Sequence, residues 1–353
     1  MRPTGRLHLG NYWGALRNWV DLQNSYRCYF FVADWHMLTT GYDDTSKLQE
    51  NTREMVLDWL GAGLDPEKCV IFKQSDVPEH AELALMLSMI TPLSWLENNP
   101  TWKEQLQELS RTKLAKAVEA AGGKVAVQEK VEAAESDFAL RTHGFLGYPV
   151  LQAADVLLYK GSRVPVGQDQ LPHIELTREI ARKFNSAFGA AVLPEPKPLI
   201  TQTPKLPGVD GRKMSKSYGN AVEMNESKES LASKVMAMYT DPKKIRKDTP
   251  GNPEPGPENP PGCVVYALHK LYSDKTMTEK VLVDCKAGSL GCVADKRELL
   301  LPNLEKSFEA FRAQREKFSG KKVDEVLAHG AEKARKVAQQ TMKEVRRAMK
   351  VSL

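Results

Sequence analysis

The sequence predicts an α/β protein: a Rossmann-type, doubly wound parallel sheet followed by an α-helical domain. Three observations predict it. Strand and helix signals alternate through the first half, which is the pattern of βαβ units. A proline-rich stretch over 241–262 interrupts regular structure, since prolines 242, 250, 253, 255, 257, 260 and 261 exclude continuous helix or central strand. Beyond it the apolar spacing is helical to the end.

Taken in order, Arg27 to Asp34 reads as a buried strand and Cys69 to Gln74 as another. Between them Asp44 or Thr45 can cap a helix whose apolar positions Leu48, Met55, Leu57, Trp59 and Leu60 precede Gly61 and Gly63. From Lys103 to about Arg141 the chain turns polar and rich in Ala, Glu and Lys, with Gly122-Gly123 as a break, and reads as a helical insertion at 103–141. The stretch over 241–262 is expected to be an exposed loop. Near the C-terminus Ala331, Ala334, Ala338, Met342, Val345 and Met349 recur at spacings of three and four, giving one apolar stripe. These signals divide the chain into 1–205, a loop at 206–220, and a helical 221–353.

Two short motifs carry the chemistry. In Pro3-Thr4-Gly5-Arg6-Leu7-His8-Leu9-Gly10-Asn11, glycines let backbone approach an anion while the following helix offers its N-terminal N–H groups and positive dipole end. His8 and Asn11 are three apart, so on a first turn they share a face and can both donate to phosphate oxygens. Alone this pattern reads more readily as an ordinary turn with a capping Asn. The second motif, Lys213-Met214-Ser215-Lys216-Ser217, lies on a loop announced by Leu206-Pro207-Gly208-Val209-Asp210-Gly211. Its two ammonium groups suit the negative charge that accumulates on a departing pyrophosphate.

Together and in this order, the motifs resemble the HIGH-type turn and KMSKS loop of class I aminoacyl-tRNA synthetases, whose catalytic domain is of this Rossmann-type, HUP-like class. The segments Gly147-Tyr148-Pro149-Val150-Leu151-Gln152-Ala153-Ala154-Asp155 and Val164-Pro165-Val166-Gly167-Gln168-Asp169-Gln170, with Gly330 to Val337 at the end, narrow the resemblance to tryptophanyl-tRNA synthetases. It covers nearly the whole chain.

The resemblance implies ATP-dependent activation of L-tryptophan and its transfer to tRNA(Trp), releasing AMP and pyrophosphate, with Mg²⁺ accompanying ATP. By it, Asp155 is the specificity carboxylate, with Tyr148, His36, Gln152, Val164, Val166 and Gln170 around the indole and α-amino group. The physics agrees, because indole has a single N–H donor and Asp155 stands among residues too apolar for an idle charge. Pairing of Asp155 within its own helix is the plainer alternative. For ATP the resemblance implies Arg2, Pro3, Thr4, His8, Gly10 and Asn11, then Gly167, Gln168, Asp169 and Leu206, and the loop Lys213, Met214, Ser215, Lys216 and Ser217. Lys103 resembles a lysine that reaches the phosphates, while a lysine often found two positions later is Gln105 here.

The resemblance also implies a homodimer in which the helical domain of one subunit binds the anticodon. Residues 330–353 hold seven Lys or Arg against Glu332 and Glu344, and such a cluster can approach a polyanion or simply be solvated. No apolar run approaches the ~18 residues of a membrane span, and no leader is evident, so a cytoplasmic protein without membrane contact is expected. The family ordinarily has a strand ahead of Pro-Thr-Gly that walls the indole pocket, whereas Met1 stands almost at the turn. Either that strand lies upstream or it is missing; if missing, weak stability and reduced tryptophan affinity are expected.

Of the five cysteines, Cys28 and Cys69 fall in the expected strands and read as packing residues. Cys263, Cys285 and Cys292 are separated by 21 and six residues, which resembles the synthetases that carry an iron-sulfur cluster. The fourth cysteine position is Asp295. An iron-sulfur cluster, Zn²⁺ on the same four residues, or three metal-free thiols are the alternatives. Two further readings stand beside the main one: a tyrosine-specific synthetase, and a catalytically idle tryptophan- or RNA-binding paralogue.

Overall fold

The computed structural model describes residues 1–100, 102–104, 142–200, 206–257 and 259–351, apart from the side chain of Ser217. The expected insertion therefore lies almost wholly outside the described residues, as does Gln105.

The strand expected over 27–34 is Tyr29–Val32 (β1), and the one over 69–74 is Val70–Lys73 (β2). They pair in parallel, Tyr29 opposite Val70 and Val32 opposite Lys73. The expected helix between them is Leu48–Gly61, which buries Met55, Val56, Trp59 and Leu60. Asp44 does not cap it. Its carboxylate accepts from the backbone and hydroxyl of Ser46, which closes a separate turn ahead of the helix. After the helix His143–Leu157, Arg163–Val166 (β3) pairs in parallel with Lys197–Ile200 (β4), connected by the helix Leu171–Phe188.

Among the described residues the parallel strands thus form two two-stranded sheets, where the sequence suggested one continuous sheet. A cleft of about 730 Å³ lies between them, walled by Tyr29 and Phe31 on one side and by Val164, Val166 and Leu199 on the other. Met1 enters it. Its amino group donates to the Phe31 carbonyl at 2.9 Å, and its carbonyl accepts from Ala33 N at 2.8 Å, one rung on β1.

Two apolar clusters hold the molecule. The first joins Leu9, Leu16, Phe30, Trp59 and Ile71 to Val222, Leu231, Leu268 and Leu304, so packing runs continuously from early to late segments. The second joins Phe72, Leu83, Ala153, Ile180 and Phe184 to Ala334, Ala338, Met342 and Val345. Those last four are the expected stripe of the Lys322–Ala348 helix, which lies across β2. The contact is closest at Gly330: a Cβ there would stand 1.7 Å from the Ile71 carbonyl oxygen, so only glycine permits the approach. Two of the seven terminal cations pin this helix to its neighbour, Arg346 to both carboxylate oxygens of Glu82 and Arg335 to Glu79.

Among its described residues the proline-rich segment carries no helix and only the isolated bridge Gly256–Asn259. It is not simply exposed. Asp241 is buried and accepts from Lys243 N at 3.0 Å and Asn252 N at 2.6 Å, folding the segment onto Pro253 and Asn259, which are also buried. No described helix is long and apolar enough to cross a membrane.

Candidate active site

The first motif is built around the start of a helical run, Leu9–Asn11, Tyr12–Leu16 and Arg17–Leu22. Asn11 turns back: its Oδ1 accepts from His8 N at 3.1 Å, so the capping role and an available Nδ2 donor coexist. The His8 ring lies over Gly10, where an added Cβ would come within 2.9 Å of it. His8 Nδ1 is buried without a partner among the described residues. Burial, then the charge of Lys216, lowers the His8 pKa from 6.5 to about 4, so the ring is neutral near pH 7.

The second motif is stapled by Asn220, which sequence reasoning passed over. Its Oδ1 accepts from Ser215 N at 2.8 Å, while its Nδ2 donates to Asp210 and to the Lys213 carbonyl. The chain then runs antiparallel along the first motif, Leu9 N donating to Val222 O at 2.9 Å and Met224 N to Leu7 O at 2.8 Å. Lys216 Nζ reaches the Thr4 carbonyl at 2.9 Å, and Met214 is buried against Gly10. The two motifs, some 200 residues apart in sequence, therefore form one surface. Leu206 is buried and its carbonyl accepts from Met214 N at 3.3 Å. Among the described residues no hydrogen bond joins Lys103 to either motif; its backbone N donates to Asn99 O.

Behind the turn, Asp58 accepts from Leu7 N at 2.7 Å and from Arg315 Nε at 2.9 Å. Burial pushes its pKa up to about 6, with these bonds opposing. Arg315 also binds Glu54, which holds Arg6.

At the C-terminal ends of β1 and β3 a cavity of about 350 Å³ opens, where ligands of parallel α/β sheets ordinarily bind. Arg2, His36, Tyr148, Gln152, Asp155 and Gln170 line it. Gln152, Asp155 and Gln170 also line the adjoining cleft, which brings in Val164 and Val166. Gly167, Gln168 and Asp169 form the turn directly after β3, and Asp169 accepts from Gln170 Nε2 at 2.8 Å. All seven residues expected around the amino acid thus come together.

Asp155 is buried, yet far from idle. Oδ2 accepts from His36 Nε2 at 2.9 Å, and Oδ1 from Gln74 Nε2 and His80 Nδ1, both at 2.7 Å. Burial alone would raise its pKa; the bonds from His36 and His80 outweigh it and hold the carboxyl at about 2. Sequence reasoning missed Gln74 and His80, although both sit just after β2, at the same end of the sheet. Across the cavity, the Tyr148 hydroxyl meets His173 Nε2 at 3.0 Å, and Asn99 meets its Nδ1 at 3.3 Å.

Burial, with His36 adding to it, lowers the His173 pKa from 6.5 to about 4. The folded form therefore binds fewer protons than the unfolded chain between those values, and stability falls as pH drops from about 6.5 toward 4. His173→Asn is expected to lose less stability than the parent between pH 7 and pH 5 in denaturant titrations. Equal losses would show that burial does not keep His173 neutral.

Cys263, Cys285, Cys292 and Asp295 do converge on one cavity, but it measures about 10 Å³, room for about one water. Asp295 is bound to His269 Nε2 at 2.9 Å. Burial pushes the Cys263 thiol up to about 11 and raises Cys285, so with no ion beside them both are protonated near pH 7. Among the described residues no group of His, Cys, Asp or Glu is arranged to hold a metal. The expected cluster or zinc site does not fit this packing, because the space takes about one water and no three ligating groups are arranged around it among the described residues.

Compared with known proteins, the chain matches the family of class I tRNA synthetases (W and Y) over residues 1–301. A Rossmann-type sheet with the two ATP motifs brought together is what such a synthetase requires. The chain is 47% identical to the tryptophan–tRNA ligase of Aquifex aeolicus, covering 99% of this chain and 98% of that protein. It is 48% identical to that of Thermotoga maritima, covering 99% and 97%. A solved tryptophanyl-tRNA synthetase from Campylobacter jejuni, complexed with ADP and tryptophan, has a TM-score of 0.79 at 30% identity over 99% of this chain and 98% of that one. The chain belongs to this family of aminoacyl-tRNA ligases, in its tryptophan–tRNA ligase branch.

Proposed function

We propose that the chain activates L-tryptophan with Mg²⁺-bound ATP and transfers the aminoacyl group to tRNA(Trp). The observation that carries this reading is the junction of the two motifs through Lys216 and Thr4, beside a pocket lined by a buried, ionised Asp155. The tryptophan carboxylate attacks the α-phosphorus in line. His8, Asn11, Lys213 and Lys216 meet the phosphates, with Arg2, Pro3, Thr4, Gly10 and Leu206 seating the nucleotide and Gly167, Gln168 and Asp169 near its ribose. Positioning and charge stabilisation carry the rate; no protein nucleophile is needed. The indole N–H donates to Asp155, and Tyr148 and Gln170 hold the α-amino group. The terminal ribose of tRNA then takes the acyl group and AMP leaves.

Amino-acid-dependent pyrophosphate exchange tests this. Exchange is expected with tryptophan and not with tyrosine, and Asp155→Asn is expected to lower kcat/KM for tryptophan about 10²-fold by removing a charged acceptor. Exchange with tyrosine would favour the tyrosine-specific reading, and none at all the idle paralogue. The chain works as a homodimer in the cytoplasm, one subunit's helical part reading the anticodon of a tRNA whose acceptor end enters the other. Light scattering in solution checks the dimer, a monomer mass speaking against it.

A further inference from the structure

We propose that His80 and Tyr159 are positioning residues for tryptophan specificity: the Tyr159 hydroxyl fixes the tautomer of His80, and His80 fixes Asp155 so that one acceptor site stays open for the indole N–H. This rests on the reading of Asp155 as the indole acceptor.

The count of lone pairs leads to it. A carboxylate oxygen accepts two hydrogen bonds. Among the described residues, Oδ1 of Asp155 is filled by His80 Nδ1 and Gln74 Nε2, whereas Oδ2 holds only His36 Nε2. One acceptor site remains, on a carboxylate that lines both cavities, and indole brings one donor.

His80 is fully buried and both its nitrogens are engaged. Nδ1 faces an ionised carboxylate, which cannot donate, so Nδ1 carries the proton. In the neutral ring Nε2 then accepts from the Tyr159 hydroxyl at 2.7 Å. That hydroxyl is in turn held by its ring, which stacks on Tyr29 with centroids 4.6 Å apart and meets Phe72 edge-on. The opposite tautomer would bring a bare nitrogen lone pair against the carboxylate, so Tyr159 acts on Asp155 at one remove. Without His80 donating, Oδ1 is half-empty and the carboxylate can rotate to take His36 or the indole on either oxygen.

The test compares tryptophan with its benzothiophene analogue, which has the same shape and no N–H, in pyrophosphate exchange. Tyr159→Phe and His80→Leu are expected to raise the KM for tryptophan about tenfold while leaving the KM for ATP within about twofold, and to shrink the preference for tryptophan over the analogue by a similar factor. His80→Asn, whose amide sits near the Nδ1 position, is expected to restore most of that preference. His80→Gln, whose amide sits near Nε2, is not. A parent enzyme that does not prefer tryptophan over the analogue overturns the role of Asp155 itself. A parent that does, with Tyr159→Phe and His80→Leu showing the same preference, overturns only the role of His80 and Tyr159. Should His80→Leu fail to fold, Tyr159→Phe and the Asn/Gln pair decide the matter alone.

Discussion

Lys216→Ala is expected to slow tryptophanyl-adenylate formation by about 10²- to 10³-fold, the loss seen when one preorganised partner of transition-state charge is removed. The ammonium group stands 2.9 Å from the Thr4 carbonyl, already at the edge of the first motif, so it needs little movement to meet the β- and γ-phosphates. Negative charge on the departing pyrophosphate grows as the bond to the α-phosphorus breaks, and the lysine binds that state better than bound ATP. The KM for tryptophan should change little, because Lys216 is not among the residues lining the pocket. Thermal stability should also hold, since the bond lost is a partly exposed one. Single-turnover adenylate formation checks the prediction; a rate within threefold of the parent would remove Lys216 from the chemistry.

Gly330→Ala is expected to destabilise the fold by about 3 kcal/mol or more, at the upper end of overpacking costs. The helix backbone lies directly on the Ile71 carbonyl, and a methyl 1.7 Å from that oxygen cannot be relieved by turning a side chain. The Lys322–Ala348 helix must lift from β2, withdrawing Ala334, Ala338 and Met342 from the second apolar cluster. Urea denaturation measures this. A midpoint unchanged from the parent would mean that the helix does not pack on β2 at Gly330.

How much of this was legible in the sequence depends on the range of the interaction. β1, β2, the Leu48–Gly61 helix and the terminal apolar stripe announce themselves because their signals are local and periodic. The two ATP motifs and the seven residues around the pocket were legible through resemblance, and the structure brings them together at the strand ends. What escaped was whatever depends on one particular partner. Asp58 reads as an ordinary helical carboxylate until Leu7 and Arg315 are seen on either side of it. Asn220 reads as a loop residue until it is found tying Ser215 to Asp210. His80 gives no periodic or spacing signal, and only tertiary folding brings it to Asp155. The four residues at the cysteine cavity are the opposite case: resemblance suggested a metal site there, and the packing leaves space for about one water, with Asp295 bound to His269.

The strut from Arg315 through Asp58 to Leu7 bears on how this chain can be divided. Every residue proposed to meet ATP lies before Tyr218, yet the turn that carries His8 hangs from a guanidinium almost a hundred residues beyond it. A fragment cut ahead of Arg315 would keep the whole nucleotide-contacting set and leave Asp58 as a buried carboxylate with its cation gone. Swapping C-terminal portions between relatives changes the seating of the nucleotide as well as the reading of tRNA, unless Arg315 and its acidic partner travel together.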